Sequence, residues 1–364
     1  MKKNEIMNIG LIGLGGVSEV HLTAYQSVNT ARIVAGADIE KKRVGFMSKR
    51  WNFTGYSDYH DMLKKEFIDA VVICVPCRYH REVVESVAEY GKPILVEKPL
   101  AGSVGDGQAM IDACKQKNVP LMYGASYRFL PACIKAREMI NDNVLGDISL
   151  LMEIAIGGQG PENFKDLGEH HYYSGSFGGS GMGLVDHGIH LIDLFRWFLK
   201  SEIISVHGIG NISCSSAPGT EHATFTFANG ATAHLIYNDI SYTSDLESEG
   251  IYSSGGSWAP DGTLNLGGGW ESHPGSIRVH GNKGALRIYH YANQLFHFDK
   301  DGPHPVPLLN RPMPENFSMQ LESFIDSVQN DKPMEIPAEE GLKSLEVIEA
   351  IYKNNNGSNL SLII

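Results

Sequence analysis

The residues best suited to chemistry lie in GMGLVDHGIHLIDLF, residues 181–195, where an aspartate and two histidines interrupt an apolar sequence. On a helix of 3.6 residues per turn, Asp186, His190 and Asp193 lie at i, i+4 and i+7 and share one face. The carboxylate either satisfies a core histidine or holds its imidazole in one tautomer for proton transfer. Metal binding through Asp186, His187 and His190 is disfavoured, because His187 points to a different face and no further ligand pair follows at a matching spacing.

The start of the chain, IMNIGLIGLGGVSEVHLTAY, has the pattern of a strand, a glycine turn and a helix. Gly13 and Gly15 let the backbone turn tightly and approach a pyrophosphate, whose charge the N-terminus of the following helix stabilises. Gly16 and Val17 continue the predicted cofactor contacts. Ser18 stands where the dinucleotide-binding fingerprint has its third glycine, and it is small enough to fit where helix meets strand. The turn therefore predicts a dinucleotide site.

A second strand, ARIVAGAD, ends in Asp38, at about the spacing expected of a residue that binds the ribose 2′-hydroxyl. The carboxylate would repel a 2′-phosphate, which favours NAD over NADP. Lys42 and Arg43 follow closely enough to keep NADP open as the alternative. The predicted cofactor is therefore NAD, with NADP the less favoured choice.

Strand and helix patterns alternate from there to residue 124, which predicts a doubly wound parallel sheet covered on both faces. Ligands of such sheets bind at the carboxyl ends of the strands. One strand, PILVE, ends in Glu97 and is followed by Lys98 and Pro99. Most lysines lie at surfaces without a role, but a lysine at this edge, beside a dinucleotide, is placed for chemistry. We expect residues 1–124 to form an NAD(P)-binding Rossmann domain.

Beyond that domain the pattern changes to strands of alternating hydrophobicity with two hairpin-like turns, ANGA and GNKGA. This predicts an α+β domain with an open, mostly antiparallel sheet over residues 125–364, which we expect to be the substrate domain. Two helices are expected over about 314–353, packing back toward the first domain. The glycine-rich SGSFGGSGMG introduces the helix of Asp186 and His190 and lets the chain pass close to something bulky.

Composition excludes several classes of function. Lys and Arg number 30 against 42 Asp and Glu, the net charge is −12, and no basic cluster is present, so nucleic acid is not an expected partner. No apolar span is long enough for a membrane helix. The five cysteines are odd in number and scattered, which favours reduced thiols and a cytoplasmic location over a disulfide framework.

Together these motifs resemble the Gfo/Idh/MocA family, the group of glucose-fructose oxidoreductase and inositol dehydrogenase. The resemblance runs nearly end to end and rests on GLIGLGGVSEVH, VPCRYH, EKP, YRFLP, GNKGALRI and above all GGSGMGLVDHGIHLIDLFRW, which is similar to the family's glycine-rich lead into D-x-G-x-H-x-x-D. It implies a catalytic group in which His190 accepts a hydroxyl proton, Lys98 polarises that hydroxyl and Asp186 orients the imidazole. Asp193 is expected to be structural or substrate-orienting, and His187 to serve packing or loop hydrogen bonding.

The resemblance also implies contacts outside this catalytic group. Further cofactor contacts are expected from Pro76, His80, Glu97 and Lys98. Many relatives carry a Trp-Arg pair ahead of the glycine run, where this chain has EHHYYSGSFGG, so that pair is not carried over. The expected substrate contacts are Tyr127, Arg128, Tyr172, Tyr173, Asp193, Trp258 and Trp270.

The segment 241–276 contains aromatic residues among serines and glycines, with almost no aliphatic residues. Such a segment cannot form its own core, and aromatic faces suit the C–H face of a pyranose. We predict that it folds over the mouth of the site, its own or a neighbouring subunit's, so that Trp258 and Trp270 help to select the substrate. A mobile surface excursion and an oligomer contact are the alternatives.

The implied function is an NAD-dependent dehydrogenase that oxidises a secondary hydroxyl of a sugar, sugar derivative or cyclitol, or catalyses the reverse reduction. One alternative is an NAD-dependent glycosidase that works by transient oxidation and elimination. The other is a non-catalytic dinucleotide-binding sensor, against which intact Lys98, Asp186 and His190 argue. We expect a small carbohydrate or cyclitol substrate, no metal, no membrane partner and a homodimer or homotetramer.

Overall fold

The computed structural model describes residues 6–156, 183–209, 220–238, 257–258, 264–265, 277–290, 292–310 and 314–353. The chain forms two compact units. The first comprises Met1–Ser126, Trp258–Leu264 and Pro314–Lys343. The second comprises Tyr127–Ser257, Asn265–Met313 and Ser344–Ile364.

Strands and helices alternate in the amino-terminal part of the first unit, as the sequence predicts. The strands are β1 (Met7–Ile12), β2 (Ala31–Ala37), β3 (Thr54–Tyr56), β4 (Ala70–Ile73), β5 (Ile94–Glu97) and β6 (Leu121–Gly124). The helices are α1 (Gly16–Tyr25), α2 (Lys41–Trp51), α3 (Tyr59–Lys65), α4 (His80–Glu89) and α5 (Val104–Lys117).

The remainder of the chain begins with a helix and continues mainly as strands. Its first elements are α6 (Pro131–Asn141), β7 (Ile148–Ile156), a π-helical turn (Gly183–Gly188) and α7 (Ile189–Leu199). The strands that follow are β8 (Ile203–Ile209), β9 (Thr220–Phe227), β10 (Thr232–Asn238), β11 (Ser257–Trp258), β12 (Leu264–Asn265), β13 (Ile277–Gly281), β14 (Ala285–Tyr289), β15 (Gln294–Asp299) and β16 (Gly302–Pro305). Two helices close the described chain, α8 (Glu315–Gln329) and α9 (Ala338–Lys353).

The first unit is built on a six-stranded parallel sheet in the order β3-β2-β1-β4-β5-β6. Every residue of β1, β4 and β5 is buried, as expected for parallel strands covered on both faces. Helix α8 packs against α1 in this unit. This strand order confirms the predicted doubly wound sheet and brings the ends of β1, β2, β4 and β5 to one edge.

The second unit contains an eight-stranded sheet in the order β16-β15-β14-β13-β7-β10-β9-β8. Its neighbouring strands are antiparallel except for β7 and β10, which confirms a mostly antiparallel sheet. Burial alternates along β9, where Ala223, Phe225 and Phe227 point into the core. Helix α7 is buried on nearly all sides, so it lies in the core of its unit.

The structure adds elements that the sequence pattern did not indicate. Strand β3 has three residues and β16 carries two prolines, so neither has the alternating apolar pattern that marks a strand. Helix α2, which the sequence analysis did not identify, has a single buried residue, Met47. Among the described residues, no helix has the length and apolar character to cross a membrane.

Candidate functional site

The glycine turn after β1 has the geometry that a bound phosphate requires. Gly13 has φ +88°, and a Cβ built there would lie 2.7 Å from the carbonyl carbon of Cys74, so only glycine fits. A Cβ built on Gly15 would meet no heavy atom of the described residues within 4 Å. Gly15, which has no side chain of its own, is also the N-cap of α1. The space over the first turn of α1 therefore suits an anion.

Ser18, at the third fingerprint position, is fully buried, and its hydroxyl donates to the carbonyl oxygen of Gly15 at 2.5 Å. The serine thus closes the first turn of α1 from inside. A small, fully buried side chain thus occupies the third fingerprint position, where close packing of helix against strand leaves little room.

Asp38, at the end of β2, is held against the same turn. Its Oδ2 accepts a hydrogen bond from the backbone N–H of Leu14 at 2.8 Å, and its Oδ1 accepts one from the backbone N–H of Glu40 at 2.8 Å. Arg43 Nη1 lies 3.2 and 3.1 Å from the two carboxylate oxygens. The Arg43 side chain is 46% exposed and that of Asp38 7%, so the arginine can move away more easily than the carboxylate.

Glu97 and the backbone of Lys98 are held by a buried chain of hydrogen bonds that joins α1 to the end of β5. Burial raises the pKa of Tyr25, so its hydroxyl stays protonated and donates to His21 Nδ1 at 2.6 Å. His21 Nε2 then carries the proton and donates to Glu97 Oε1 at 2.6 Å. Glu97 Oε2 accepts from the backbone N–H of Lys98 at 3.0 Å. The backbone from which the Lys98 side chain starts is therefore fixed from within the unit.

Pro76 and His80 lie in the segment that follows β4. Pro76 precedes a 3₁₀ turn that leads into α4, of which His80 is the first residue. His80 is fully buried, with Nδ1 3.0 Å from the carbonyl oxygen of Leu100 and Nε2 2.8 Å from that of Val75. Burial lowers the pKa of His80. The imidazole thus ties together the segments that follow β4 and β5.

In the second unit, Asp186 lies in the π-helical turn and His190 in the first turn of α7. The predicted α-helix is correct from Ile189 onward, but the preceding six residues form the wider π turn, so the i, i+4 spacing across it is not that of an α-helix. Gly183 begins this turn where a Cβ would overlap the carboxylate of Glu221. Both Asp186 and His190 are buried, at 9% and 7% exposure.

Tyr127 lies face to face with His190. The two ring centroids are 3.8 Å apart and the planes are inclined by 5°. The hydroxyl of Tyr127 is 3.4 Å from His187 Nδ1. An aromatic residue predicted to contact substrate is thus stacked on the predicted base.

Arg128 and Asp193, both predicted substrate contacts, are buried against each other. Arg128 Nε donates to Asp193 Oδ2 at 2.7 Å and Nη2 donates to Oδ1 at 2.6 Å. Their side chains are 6% and 1% exposed. Such a bidentate pair is among the stronger charge-assisted interactions in proteins. Each of the two charges therefore has its partner within the second unit.

A cluster of polar residues lies beneath this pair of rings and was not found from the sequence. His187 Nε2 donates to Glu153 Oε2 at 2.8 Å, and Tyr237 donates to the same oxygen at 2.9 Å. His290 Nε2 is 3.9 Å from Glu153 Oε1. The expected packing role of His187 therefore includes a hydrogen bond to a strand carboxylate. The signal for Glu153 is its spacing, because it shares the inward face of β7 with Leu151, two residues earlier.

Several predicted substrate contacts cannot be placed in this geometry. Tyr172, Tyr173 and Trp270 lie outside the described residues. Trp258 belongs to β11, whose backbone pairs with β12. Most of the segment 241–276 also lies outside the described residues, so its predicted folding over the site stays a prediction.

Comparison with known proteins covers both units of the chain. Residues 7–125 match the GFO_IDH_MocA family profile, described as an oxidoreductase family with an NAD-binding Rossmann fold. Residues 137–361 match the C-terminal alpha/beta domain of the same family. The two matches together cover most of the sequence, including the glycine turn and the Asp186–His190 stretch.

Individual relatives agree with the profiles. Glucose-6-phosphate 3-dehydrogenase of Bacillus subtilis is 26% identical over 369 residues, 96% of this chain and 97% of that protein. The uncharacterized oxidoreductase YrbE of the same species is 29% identical over 235 residues, and the match covers 62% of this chain but just under two thirds, 64%, of that protein. The crystal structure of aldose-aldose oxidoreductase from Caulobacter crescentus, complexed with glycerol, shares the fold with a TM-score of 0.79, at 21% identity, over 99% of this chain and 100% of that one. The chain belongs to the Gfo/Idh/MocA family of oxidoreductases.

Proposed function

We propose that the protein is an NAD-dependent dehydrogenase that oxidises a secondary hydroxyl of a sugar, sugar derivative or cyclitol, or catalyses the reverse reduction. The observation that carries the proposal is the setting of His190, which is buried yet held face to face by Tyr127 in the family's motif. A histidine used only for packing needs no such alignment, whereas a proton acceptor must present one ring nitrogen in a fixed direction. The full-length similarity to a glucose-6-phosphate 3-dehydrogenase supports a sugar substrate.

The first unit fits the nicotinamide cofactor that the family implies. The open space over Gly15 and the N-terminus of α1 would accept its pyrophosphate. Asp38, fixed by Leu14, would accept hydrogen bonds from the adenosine ribose, which favours NAD. When bound, the cofactor supplies the hydride acceptor. We retain Gly16, Val17, Ser18, Pro76, His80, Glu97 and Lys98 as further residues of the proposed cofactor site.

In the proposed reaction, His190 takes the proton from the substrate hydroxyl as the carbon loses hydride. Lys98 places a positive charge beside the oxygen, where negative charge develops. Asp186 orients the imidazole of His190. In the reverse direction the same histidine returns the proton to the oxygen. Asp193, which Arg128 holds in a buried bidentate pair, is proposed to have a structural or substrate-orienting role.

We also propose a cofactor-binding domain, residues 1–124, and a substrate-binding and oligomerisation domain, residues 125–364, whose C-terminal helices over about 314–353 pack back toward the first domain. The proposal also includes a homodimer or homotetramer in the cytoplasm, without nucleic-acid or membrane partners. Tyr127, Arg128, Tyr172, Tyr173, Trp258 and Trp270 remain the candidate residues of the substrate pocket.

The test is a screen of sugars, sugar phosphates, glycosides and inositols with NAD, followed by absorbance of NADH. A dehydrogenase accumulates NADH in proportion to substrate consumed. A glycosidase that oxidises only transiently would release a free sugar without net NADH, and a sensor would do neither. NAD binding without turnover on the whole panel, in either direction, would contradict the proposal.

A further inference from the structure

We propose that Glu153, His187 and Tyr127 form a positioning chain that sets the orientation of the His190 imidazole. The inference rests on the proposed role of His190 as the base. It gives a function to the buried cluster formed by Glu153 of β7 and His187 of the π-helical turn.

The contact nearest to His190 is the stacked ring of Tyr127. With centroids 3.8 Å apart and planes inclined by 5°, the tyrosine covers one face of the imidazole and limits its tilt. Tyr127 itself is 6% exposed, so solvent does not compete for its ring. Rotation of the tyrosine would therefore require the histidine to move as well.

The next link fixes the tyrosine. An ionised carboxylate only accepts hydrogen bonds, so His187 Nε2 must hold its proton toward Glu153 Oε2 at 2.8 Å. That leaves His187 Nδ1 facing the hydroxyl of Tyr127, 3.4 Å away. The proton on one side of His187 thus decides what its other nitrogen offers to the tyrosine.

The chain ends on an anchored carboxylate. Burial alone would raise the pKa of Glu153, but the nearby His187 and His290 and the hydroxyl of Tyr237 together hold the pKa below its usual value. Burial lowers the pKa of His290 to about 4 and raises that of Tyr237, so both stay neutral near pH 7. Glu153 is therefore a fixed anion that can orient His187.

The cluster fits hydrogen bonding better than a shared metal ion. One possible metal-ligand atom from each of Glu153, His187 and His290 lies within 4.8 Å of the other two, a spacing that by itself would allow a metal ion. Ligands about 2.0–2.2 Å from a tetrahedral zinc lie roughly 3.4 Å apart. The 2.8 Å between His187 Nε2 and Glu153 Oε2 is instead the length of an N–H···O hydrogen bond.

A first test needs no substrate. In the full-length protein carrying ¹³C-labelled histidine, the His190 Cε1–H resonance is assigned by its loss in His190→Ala. Stacking on Tyr127 should shift this resonance upfield through the ring current. His187→Met and Glu153→Gln should reduce the upfield shift or broaden the resonance. His234→Gln is the control and should change neither, because His234 forms a hydrogen bond with Thr224 on the same sheet, outside the cluster. An unchanged resonance in His187→Met would overturn the positioning chain.

The second test is a double-mutant cycle with the substrate that the screen identifies. His187→Met and Tyr127→Phe should each lower kcat, by up to about 100-fold, since small misplacement of a catalytic group has effects of this size. The KM for NAD should not change. The double variant should be no worse than the poorer single variant, because both changes break one chain. Glu153→Gln can still accept from His187 and should lose less.

The outcomes separate the two proposals. If His190→Ala keeps most of its turnover, the proposed function fails, and the positioning chain fails with it. If His190→Ala is inactive but the losses of His187→Met and Tyr127→Phe multiply, only the positioning chain is overturned. One equivalent of zinc in the purified protein, lost in His187→Met, would also overturn it, since the cluster would then be a metal site. Circular dichroism confirms that each variant is folded.

Discussion

Removing the carboxylate of Asp38 should reverse the preference between NAD and NADP. Asp38→Ala deletes the acceptor proposed for the ribose hydroxyls and frees Arg43, which lies 3.1 Å from the carboxylate. Arg43 is then available to a 2′-phosphate, with which guanidinium groups form bidentate contacts. The same substitution removes the hydrogen bond from Leu14 N, so the turn must be tested separately.

The size of the effect follows from the contacts of the carboxylate. A hydrogen bond to a charged group contributes roughly 1.5–3 kcal/mol, so NAD should bind about 10- to 150-fold more weakly. NADP binding no longer suffers the repulsion between the carboxylate and the 2′-phosphate, which for two charges at about 4 Å in water is roughly 1 kcal/mol. Together these shift the ratio of dissociation constants by at least roughly 2.5 kcal/mol, or about 60-fold toward NADP.

The assay is a fluorescence titration of NADH and NADPH into wild type, Asp38→Ala, Asp38→Asn and Asp38→Ala/Arg43→Gln. Asp38→Asn keeps an acceptor for Leu14 N and isolates the charge. The double variant should lose most of the gain for NADP, because it lacks the freed arginine. If Asp38→Ala weakens both cofactors equally, the carboxylate supports the turn and does not select the cofactor. If wild type already prefers NADP, Arg43 dominates and the assignment is wrong.

Three further expectations concern both units. His190→Ala and Lys98→Met should lower kcat by about 10²–10⁴-fold while the dissociation constant for NADH stays within about twofold of wild type. Arg128→Met should leave Asp193 buried without its partner and reduce the free energy of unfolding by about 3–5 kcal/mol, measured by urea denaturation. Folding lowers the pKa of His290 from 6.5 to about 4, so the unfolded state binds a proton that the folded state does not as the pH falls below 6.5. The free energy of unfolding should therefore be highest above pH 6.5 and fall by up to about 3 kcal/mol toward pH 4. His290→Leu should make this pH dependence weaker.

Each of these has a clear contrary result. Weaker NADH binding in His190→Ala, in step with its loss of kcat, would mean that the variant disturbs the fold and not the proton transfer. An Arg128→Met protein as stable as wild type would show that the pair contributes nothing net. A His290→Leu protein with the same pH dependence of stability as wild type would assign that dependence to other groups.

The sequence was sufficient for features that depend on local pattern. The glycine turn could be predicted because only glycine tolerates the backbone of Gly13, and Asp38 because its spacing from that turn is set by the βαβ unit. The π turn was not predicted, because the residues from Gly183 to Gly188 are spaced as in an ordinary helix, and the N–H of Leu184 at its start donates to Glu221 on a distant strand. Long-range partners leave no local pattern.

The same limit explains the polar clusters. His21 and Glu97 are 76 residues apart, and Glu153 and His187 are 34 apart, so no periodicity within one element reveals either pair. A carboxylate among apolar residues on the inward face of a strand indicates that it has a polar partner, but the strand sequence does not show which residue that partner is. Arg128 and Asp193 were each predicted from the sequence as substrate contacts, while their pairing across 65 positions needed the fold.

The buried link from Tyr25 through His21 to Glu97 has a consequence for protein engineering. It connects the helix that follows the glycine turn to the strand end that bears Lys98, so the glycine-turn motif and the Glu-Lys-Pro motif depend on each other. A Glu-Lys-Pro segment grafted into another Rossmann domain would bring an acid into the interior without the imidazole that receives it. Such a chimera should fold poorly until a histidine at the matching position of the first helix is transferred as well. The glycine turn, α1 and the end of β5 therefore have to be transferred together, and a chimera with a junction between them should be poorly tolerated.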